Sequence, residues 1–198
     1  KLRVSGHTVA DVHPALTRLM ERLRGSYSVA AVLQIDGRET LLAFRDPQGI
    51  RPAVYGRRDD GAWAVTSESV VLDALGFQRA GFLPPGGMML LRAGEEPVVR
   101  EVLARPRRHC VFEQIYFARA DSVMEAGRVN SRRWEMGKRL AREWQRKGLE
   151  ADVVVAIPDT SRPAAMAMAE TLGISNREGF IKNRYSGRTF IMPDKSTR

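Results

Sequence analysis

The apolar residues of this chain change rhythm near residue 105, and no single sheet or helix bundle satisfies both patterns. Before that point, short β-rich runs follow one another across brief turn signals. Tyr27 to Ile35 and Leu41 to Phe44 are joined through Asp36-Gly37, a two-residue hairpin signal. Val54-Tyr55 and Trp63 to Thr66 repeat the theme across Asp59-Asp60-Gly61, and Met88 to Leu91 and Val98 to Leu103 read as two further strands. Val12, Ala15, Leu16, Leu19, Met20 and Leu23 recur at helical spacing and stop at Gly25, while Ser69 to Leu75 reads as a short helix closed by Gly76. Helices with a run of antiparallel strands predict an α+β layered arrangement.

Arg105-Pro106-Arg107-Arg108-His109 is a polar, proline-containing break, and the boundary is placed there, giving domains 1–104 and 105–198. Beyond it Val111 to Phe117 reads as a strand. Ser131 opens a helix with Trp134, Leu140, Ala141 and Trp144 on its apolar face, stopped by Gly148. Ala151 to Ile157 is an apolar run interrupted only by Asp152 and reads as a parallel strand covered on both faces. A second helix from about 163 to 172 has Pro163 at its start and Gly173 at its end.

With 43% apolar residues in 198, the chain has enough material for a buried core. It contains no run of about 18 apolar residues, so no membrane span is expected. Lys1-Leu2-Arg3-Val4 has neither an initiator Met nor a signal-peptide core and reads as an arbitrary cut. One cysteine cannot form an internal disulfide, in keeping with a cytoplasmic location. The net charge of +9 favours polyanionic partners. Yet no RNA-recognition motif, zinc spacing or aromatic-interleaved basic block is present, so the expectation is no nucleic acid and no membrane.

Two stretches carry the site chemistry. The run from Gly179 to Pro193 fits neither a helical nor a strand period and gathers Lys182, Arg184, Tyr185, Arg188 and Thr189 around Gly187. That is the composition of a loop built to meet an anion, with charge-assisted donors and a backbone free to approach. The second is Asp159-Thr160-Ser161, where a strand turns into a helix. Hydroxyls and free backbone N–H groups there suit a pyrophosphate, and Thr160 or Ser161 capping the helix is the alternative. Cys110, taken by itself, reads as a small buried hydrophobe.

Three literal strings carry a family likeness: Phe44-Arg45-Asp46-Pro47-Gln48-Gly49-Ile50-Arg51-Pro52, the segment from Cys110 to Ser122, and Lys182-Asn183-Arg184-Tyr185-Ser186-Gly187-Arg188-Thr189-Phe190-Ile191-Met192-Pro193. In this order they resemble segments of glutamine phosphoribosylpyrophosphate amidotransferases (amidophosphoribosyltransferases), across roughly residues 15 to 198. Gln114 and Ala120 depart from the family's usual Tyr and Pro. The resemblance implies that 1–104 is the later half of a glutaminase domain, of incomplete αββα N-terminal-nucleophile amidohydrolase type. It implies that 105–198 is the first part of an α/β type I phosphoribosyltransferase fold, also incomplete.

The implied activity is the first committed step of purine synthesis, making 5-phosphoribosylamine from glutamine and phosphoribosylpyrophosphate (PRPP). Thr160 and Ser161 would contact the pyrophosphate, and Lys182, Arg184, Tyr185 and Arg188 would belong to a lid that orders over bound PRPP. Mg2+ is implied at a segment outside this chain, and a 4Fe-4S cluster in some members, with Cys110 matching one of its ligand positions. Purine nucleotide inhibitors and a homo-oligomer are implied partners. The family's N-terminal nucleophilic cysteine is not among these residues, so the 198 residues alone are expected to be an inactive internal fragment. Other glutamine amidotransferases, whose glutaminase domains share the Arg-Asp-x-x-Gly-x-x-Pro turn, are one alternative. A non-catalytic basic anion-binding or nucleic-acid-binding remnant is the other.

Overall fold

The computed structural model describes residues 8–183 and Tyr185, and the chain divides into two compact units, Lys1–Val129 and Asn130–Arg198. In the first unit, α1 (Val9–Arg22) starts at a capping box in which the Thr8 amide donates to the Asp11 carboxylate at 2.8 Å. Strands β1 (Ser28–Ile35) and β2 (Arg38–Arg45) form the expected hairpin, with Asp36 and Gly37 at φ of 52° and 72°. Both turn residues take the positive φ that this tight reversal requires, which is why Asp-Gly signals it.

Next come β3 (Val54–Arg57), β4 (Trp63–Thr66), α2 (Ser69–Ala74), β5 (Gln78–Phe82), β6 (Gly87–Leu91) and β7 (Val98–Glu101). They form an antiparallel sheet in the order β1-β2-β6-β7 and a second in the order β4-β3-β5. Side chains alternate across a strand. Leu42, Phe44, Met88 and Leu90 therefore pack with Val12, Leu16 and Met20 of α1, while Ala43, Met89 and Leu91 cluster with Ala53, Leu83, Tyr55, Trp63 and Val65. Next to Tyr55, Gly56 turns toward Leu72 of α2. The first unit is thus layered helix, sheet, sheet, helix. β2 and β6 lie between two covered faces, so Leu41 to Phe44 and Met88 to Leu91 read as unbroken apolar runs.

A charged knot holds the turn after β2. Asp46 is fully buried, and its carboxylate accepts N–H groups of Gln48 (3.2 Å), Ile50 (3.0 Å) and Arg51 (3.0 Å). Its neighbour Arg45 points the other way, with Nε donating to the Arg51 carbonyl at 2.5 Å and Nη1 donating to the Leu83 carbonyl and Glu125. The Asp46 carboxylate thus closes the turn through backbone N–H groups. Arg51's guanidinium instead reaches Glu113 at 2.5 Å.

That contact accompanies a correction. Val111 to Phe117 is not a strand: Glu113–Phe117 forms a π-helical turn, with the Ala118 N–H donating to the Glu113 carbonyl at 2.8 Å. Its β-prone side chains favour extension locally, but the buried Glu113 carboxylate is anchored by Arg51, and the wide turn leaves Phe112, Ile115, Tyr116 and Phe117 exposed. The string beyond it is clamped by Glu68, which accepts the Arg119 amide (2.9 Å) and the Ser122 hydroxyl (2.7 Å). The short antiparallel pair β8 (Val123–Met124) and β9 (Gly127–Arg128) follows.

Tyr27 supplies a test of polar burial. Its hydroxyl is buried without a hydrogen-bond partner among the described residues, and burial, followed by the charge of Asp46, pushes its pKa above the usual value of 10.0. Replacing Tyr27 with Phe removes an unmet polar group, so stability in urea at pH 7 is expected to stay level or rise by about 1 kcal/mol. The raised pKa favours the folded state below pH 10.0, and this advantage is lost as pH rises through the folded-state value. Wild type should therefore lose more stability than the variant above that pH. A variant clearly less stable at pH 7 would show that the hydroxyl is bonded.

In the second unit, α3 (Val129–Arg146) leads to β10 (Val153–Val155), α4 (Arg162–Leu172) and β11 (Ser175–Arg177), with β10 and β11 parallel. The buried positions of α3 are Val129, Arg133, Gly137 and Ala141, four residues apart, whereas Leu140 is 55% exposed. The large apolar residues therefore mark the wrong stripe: the buried one is mostly narrow because α4 comes close. A Cβ on Gly137 would sit 2.1 Å from the Ala164 carbonyl oxygen. α4 packs on both strands, yet Val153, Val155 and Ile157 stay 40%, 37% and 65% exposed. The expected covering on both faces is thus not what the described residues show.

Candidate functional site

Parallel pairing with α4 as the crossover brings the carboxyl ends of β10 and β11 to one edge of this small sheet. Ligands of open α/β sheets bind at such an edge. From β10 leaves the loop to Ser161, and from β11 the segment that begins with Glu178. A side-chain pair ties the two, since Arg162 Nη2 donates to Glu178 Oε1 at 2.7 Å while its Nε lies 3.5 Å from Asp159. Gly179 passes so near β10 that a Cβ there would lie 2.7 Å from Val155 Cγ1.

Within the loop, Ser161 donates its hydroxyl back to the Ile157 carbonyl and makes no cap to α4. Thr160 is half-buried, and no hydrogen bond engages its hydroxyl among the described residues. The capping alternative is therefore not realised: the start of α4 has the Arg162 N–H donating to the Asp159 carbonyl at 3.3 Å and no side-chain cap at the positive end of its dipole. Pro163 in that turn lacks an N–H in any case, and Gly173 at φ 69° ends the helix as its position predicts.

Of the basic run, Lys182 and Tyr185 are exposed, and the Tyr185 amide donates to Asn183 Oδ1 at 3.0 Å. Arg184 and Arg188 lie outside the described residues. The structure thus brings Thr160 and Ser161 to the edge where the segment leading to Lys182 begins. Nothing in the spacing of Arg162 announces its tie to Glu178, a pairing that exists only once the strands are parallel neighbours.

Cys110 belongs to the other unit. It is a half-buried free thiol beside a cavity of about 20 Å³, lined also by Arg45, His109, Glu113 and Glu125, room for about one water. A 4Fe-4S cluster needs four thiolates, and this sequence contains one cysteine. Among the described residues no three His, Cys, Asp or Glu side chains gather as a metal site. Neither a cluster nor Mg2+ therefore finds its ligand set in the described residues. No described helix is long and apolar enough to cross a membrane.

No family model matches the chain. Curated relatives do. Amidophosphoribosyltransferases of Pseudomonas aeruginosa and Archaeoglobus fulgidus are 41% and 43% identical to it, over 96% and 95% of the chain and 39% of each relative. That of Saccharomyces cerevisiae is 40% identical over 95% of the chain and 38% of its own length. Among solved structures, glutamine PRPP amidotransferase from B. subtilis, complexed with ADP and GMP, superposes with a TM-score of 0.77 at 34% identity, over 97% of this chain and 40% of that one. A structure described as the allosteric regulatory enzyme of purine biosynthesis gives 0.78 at 34% identity, over 98% and 39%. The chain spans about two fifths of the length of the relatives it matches, and over that span it is similar in sequence and in fold to amidophosphoribosyltransferases.

Proposed function

We propose that this chain is the PRPP-holding and domain-joining portion of a protein that transfers the amide nitrogen of glutamine to PRPP, yielding phosphoribosylamine, pyrophosphate and glutamate. Residues 1–104 serve as the later half of an N-terminal-nucleophile glutaminase domain. Residues 105–198 serve as the first part of a type I phosphoribosyltransferase domain. One observation carries this reading: the parallel pair β10 and β11 directs the Asp159-Thr160-Ser161 loop and the start of the basic run to one sheet edge, tied by Arg162 and Glu178.

In this arrangement the Thr160 hydroxyl and the uncapped turn of α4 meet pyrophosphate oxygens, and Ser161 holds the loop in shape through Ile157. Lys182, Arg184, Tyr185 and Arg188 then close over the ligand, adding charge-assisted donors and excluding water from the reactive carbon. Glutamine, purine nucleotides acting as inhibitors, and assembly into a homo-oligomer belong to the same reading. Cys110 stands well inside the chain, so no nucleophile with its own α-amino base is present among these residues.

Calorimetric titration of the 198-residue chain with PRPP tests the site. Combined Thr160→Ala and Lys182→Ala substitution should weaken PRPP by about tenfold or more, with unchanged thermal unfolding, because each removes a ligand donor at no cost to packing. The chain should release no ammonia from glutamine. Equal PRPP affinity in the doubly substituted chain, or no saturable PRPP binding at all, would sink the assignment of the loop.

A further inference from the structure

An arginine-rich cleft opens at the end of the β4-β3-β5 sheet. Arg57 of β3 stands opposite Trp63 of β4 and Gln78 of β5, and these residues with Arg58, Asp59, Arg79 and Ala80 line an open cleft of about 440 Å³. Three arginines face one aspartate across it. Each guanidinium rests on a ring: Arg57 lies 5.7 Å from the Trp63 centroid, Arg58 4.9 Å from Phe77 and Arg79 5.3 Å from Phe82. A guanidinium over a ring face keeps N–H groups at its edge for an oxyanion, and Arg58 shows that two-pronged grip on Asp60, with Nε and Nη2 donating at 3.0 and 2.6 Å.

The backbone is shaped for this. Between β3 and β5 the register slips, with Tyr55 opposite Gly81 but Gly56 opposite Arg79, so Ala80 is an extra residue bulged out of the ladder. Bulges re-aim the side chains beside them. Here the slip is permitted by Gly56, where a Cβ would fall 2.5 Å from the Gln78 carbonyl oxygen. Arg58 is held by Asp60 and Arg57 by Glu96 at 3.1 Å, but these pairs are about half exposed and exchange cheaply for a stronger anion. Among the described residues no carboxylate pairs with Arg79.

We propose that this cleft binds a polyvalent oxyanion, two or more linked phosphates, independently of the Thr160 and Ser161 loop. Ring faces already covered by arginine argue against base stacking, so recognition falls on the phosphates and not on a nucleobase. The probe is inorganic tripolyphosphate, titrated into the full chain while Trp63 fluorescence is followed against a Trp63→Phe control. Saturable binding that moves the Trp63 signal, weakens about tenfold or more in Arg57→Ala/Arg79→Ala and persists in Thr160→Ala/Lys182→Ala is the expected result. The last variant separates this cleft from the site proposed above. Equal affinity in the Arg57→Ala/Arg79→Ala chain, or binding only to a single-stranded oligonucleotide and not to tripolyphosphate, would overturn the assignment. Unchanged thermal unfolding of the arginine variant shows that the loss is local.

Discussion

Replacing Arg45 with methionine is expected to cost the first unit about 3–5 kcal/mol, read as a lower urea midpoint at unchanged slope. Arg45 is 2% exposed, and its guanidinium donates to three carbonyls, those of Arg51, Leu83 and Gly49, as well as to Glu125. Methionine fills much of the volume but makes none of these bonds. The loss is large because it strands partners that water cannot reach: Glu125, with its side chain 14% exposed, keeps only Arg107 and His109 at 3.8 Å. An exposed arginine provides the contrast. Arg38 also pairs with a glutamate, but both side chains are about half exposed, so Arg38→Met should cost under about 1 kcal/mol. A similar cost at both positions would mean that the knot around Arg45 is not what holds the turn.

Gly137→Val is expected to destabilise the second unit by about 3 kcal/mol or more and to abolish PRPP binding by the chain. The first added carbon would lie 2.1 Å from the Ala164 carbonyl oxygen and 2.8 Å from the Ala164 carbonyl carbon. Those are backbone atoms, which have no rotamer to move aside, so α4 as a whole must shift. The start of α4 carries Arg162 and follows directly on Thr160 and Ser161, so the displacement reaches the proposed pyrophosphate loop. Circular dichroism melting combined with PRPP calorimetry separates the two effects. Gly148→Ala, in a position with open space but φ of +63°, should cost only about 1 kcal/mol and leave binding intact. Retained PRPP affinity in Gly137→Val would detach the site from this helix contact.

The parts of the fold that were legible in the sequence are those whose cause is local. Asp36-Gly37 specifies a hairpin because two adjacent residues must take positive φ, and Pro163 and Gly173 bracket α4 because one lacks an N–H and the other accepts a left-handed cap. The alternation that fails in Leu41 to Phe44 and Met88 to Leu91 likewise marks strands buried on both faces. Where a distant partner outweighs local preference, the reading goes astray. Val111 to Phe117 has the composition of a strand, but Arg51, far away in the chain, anchors the Glu113 carboxylate where the chain turns. Trp134, Leu140 and Trp144 mark an apolar face on α3, but the buried stripe is the one narrow enough for Ala164 to approach. β5 escaped notice because Gln78-Arg79-Ala80-Gly81 shows no alternation, and pairing with β3 alone makes it a strand.

The candidate site divides in the same way. By itself the sequence determined the donors: hydroxyls at a strand-to-helix turn, a run of cations around Gly187, and three strings shared in order with one family. These depend only on which residues are neighbours in the chain. Tertiary structure alone decided that the Ser161 hydroxyl turns back to Ile157, that Arg162 reaches Glu178 across the crossover, and that a bulge at Ala80 sets Arg79 into a cleft with Arg57 and Trp63. The last two are meetings of separate strands and loops, governed by sheet register and packing, and a one-residue change in register would undo them.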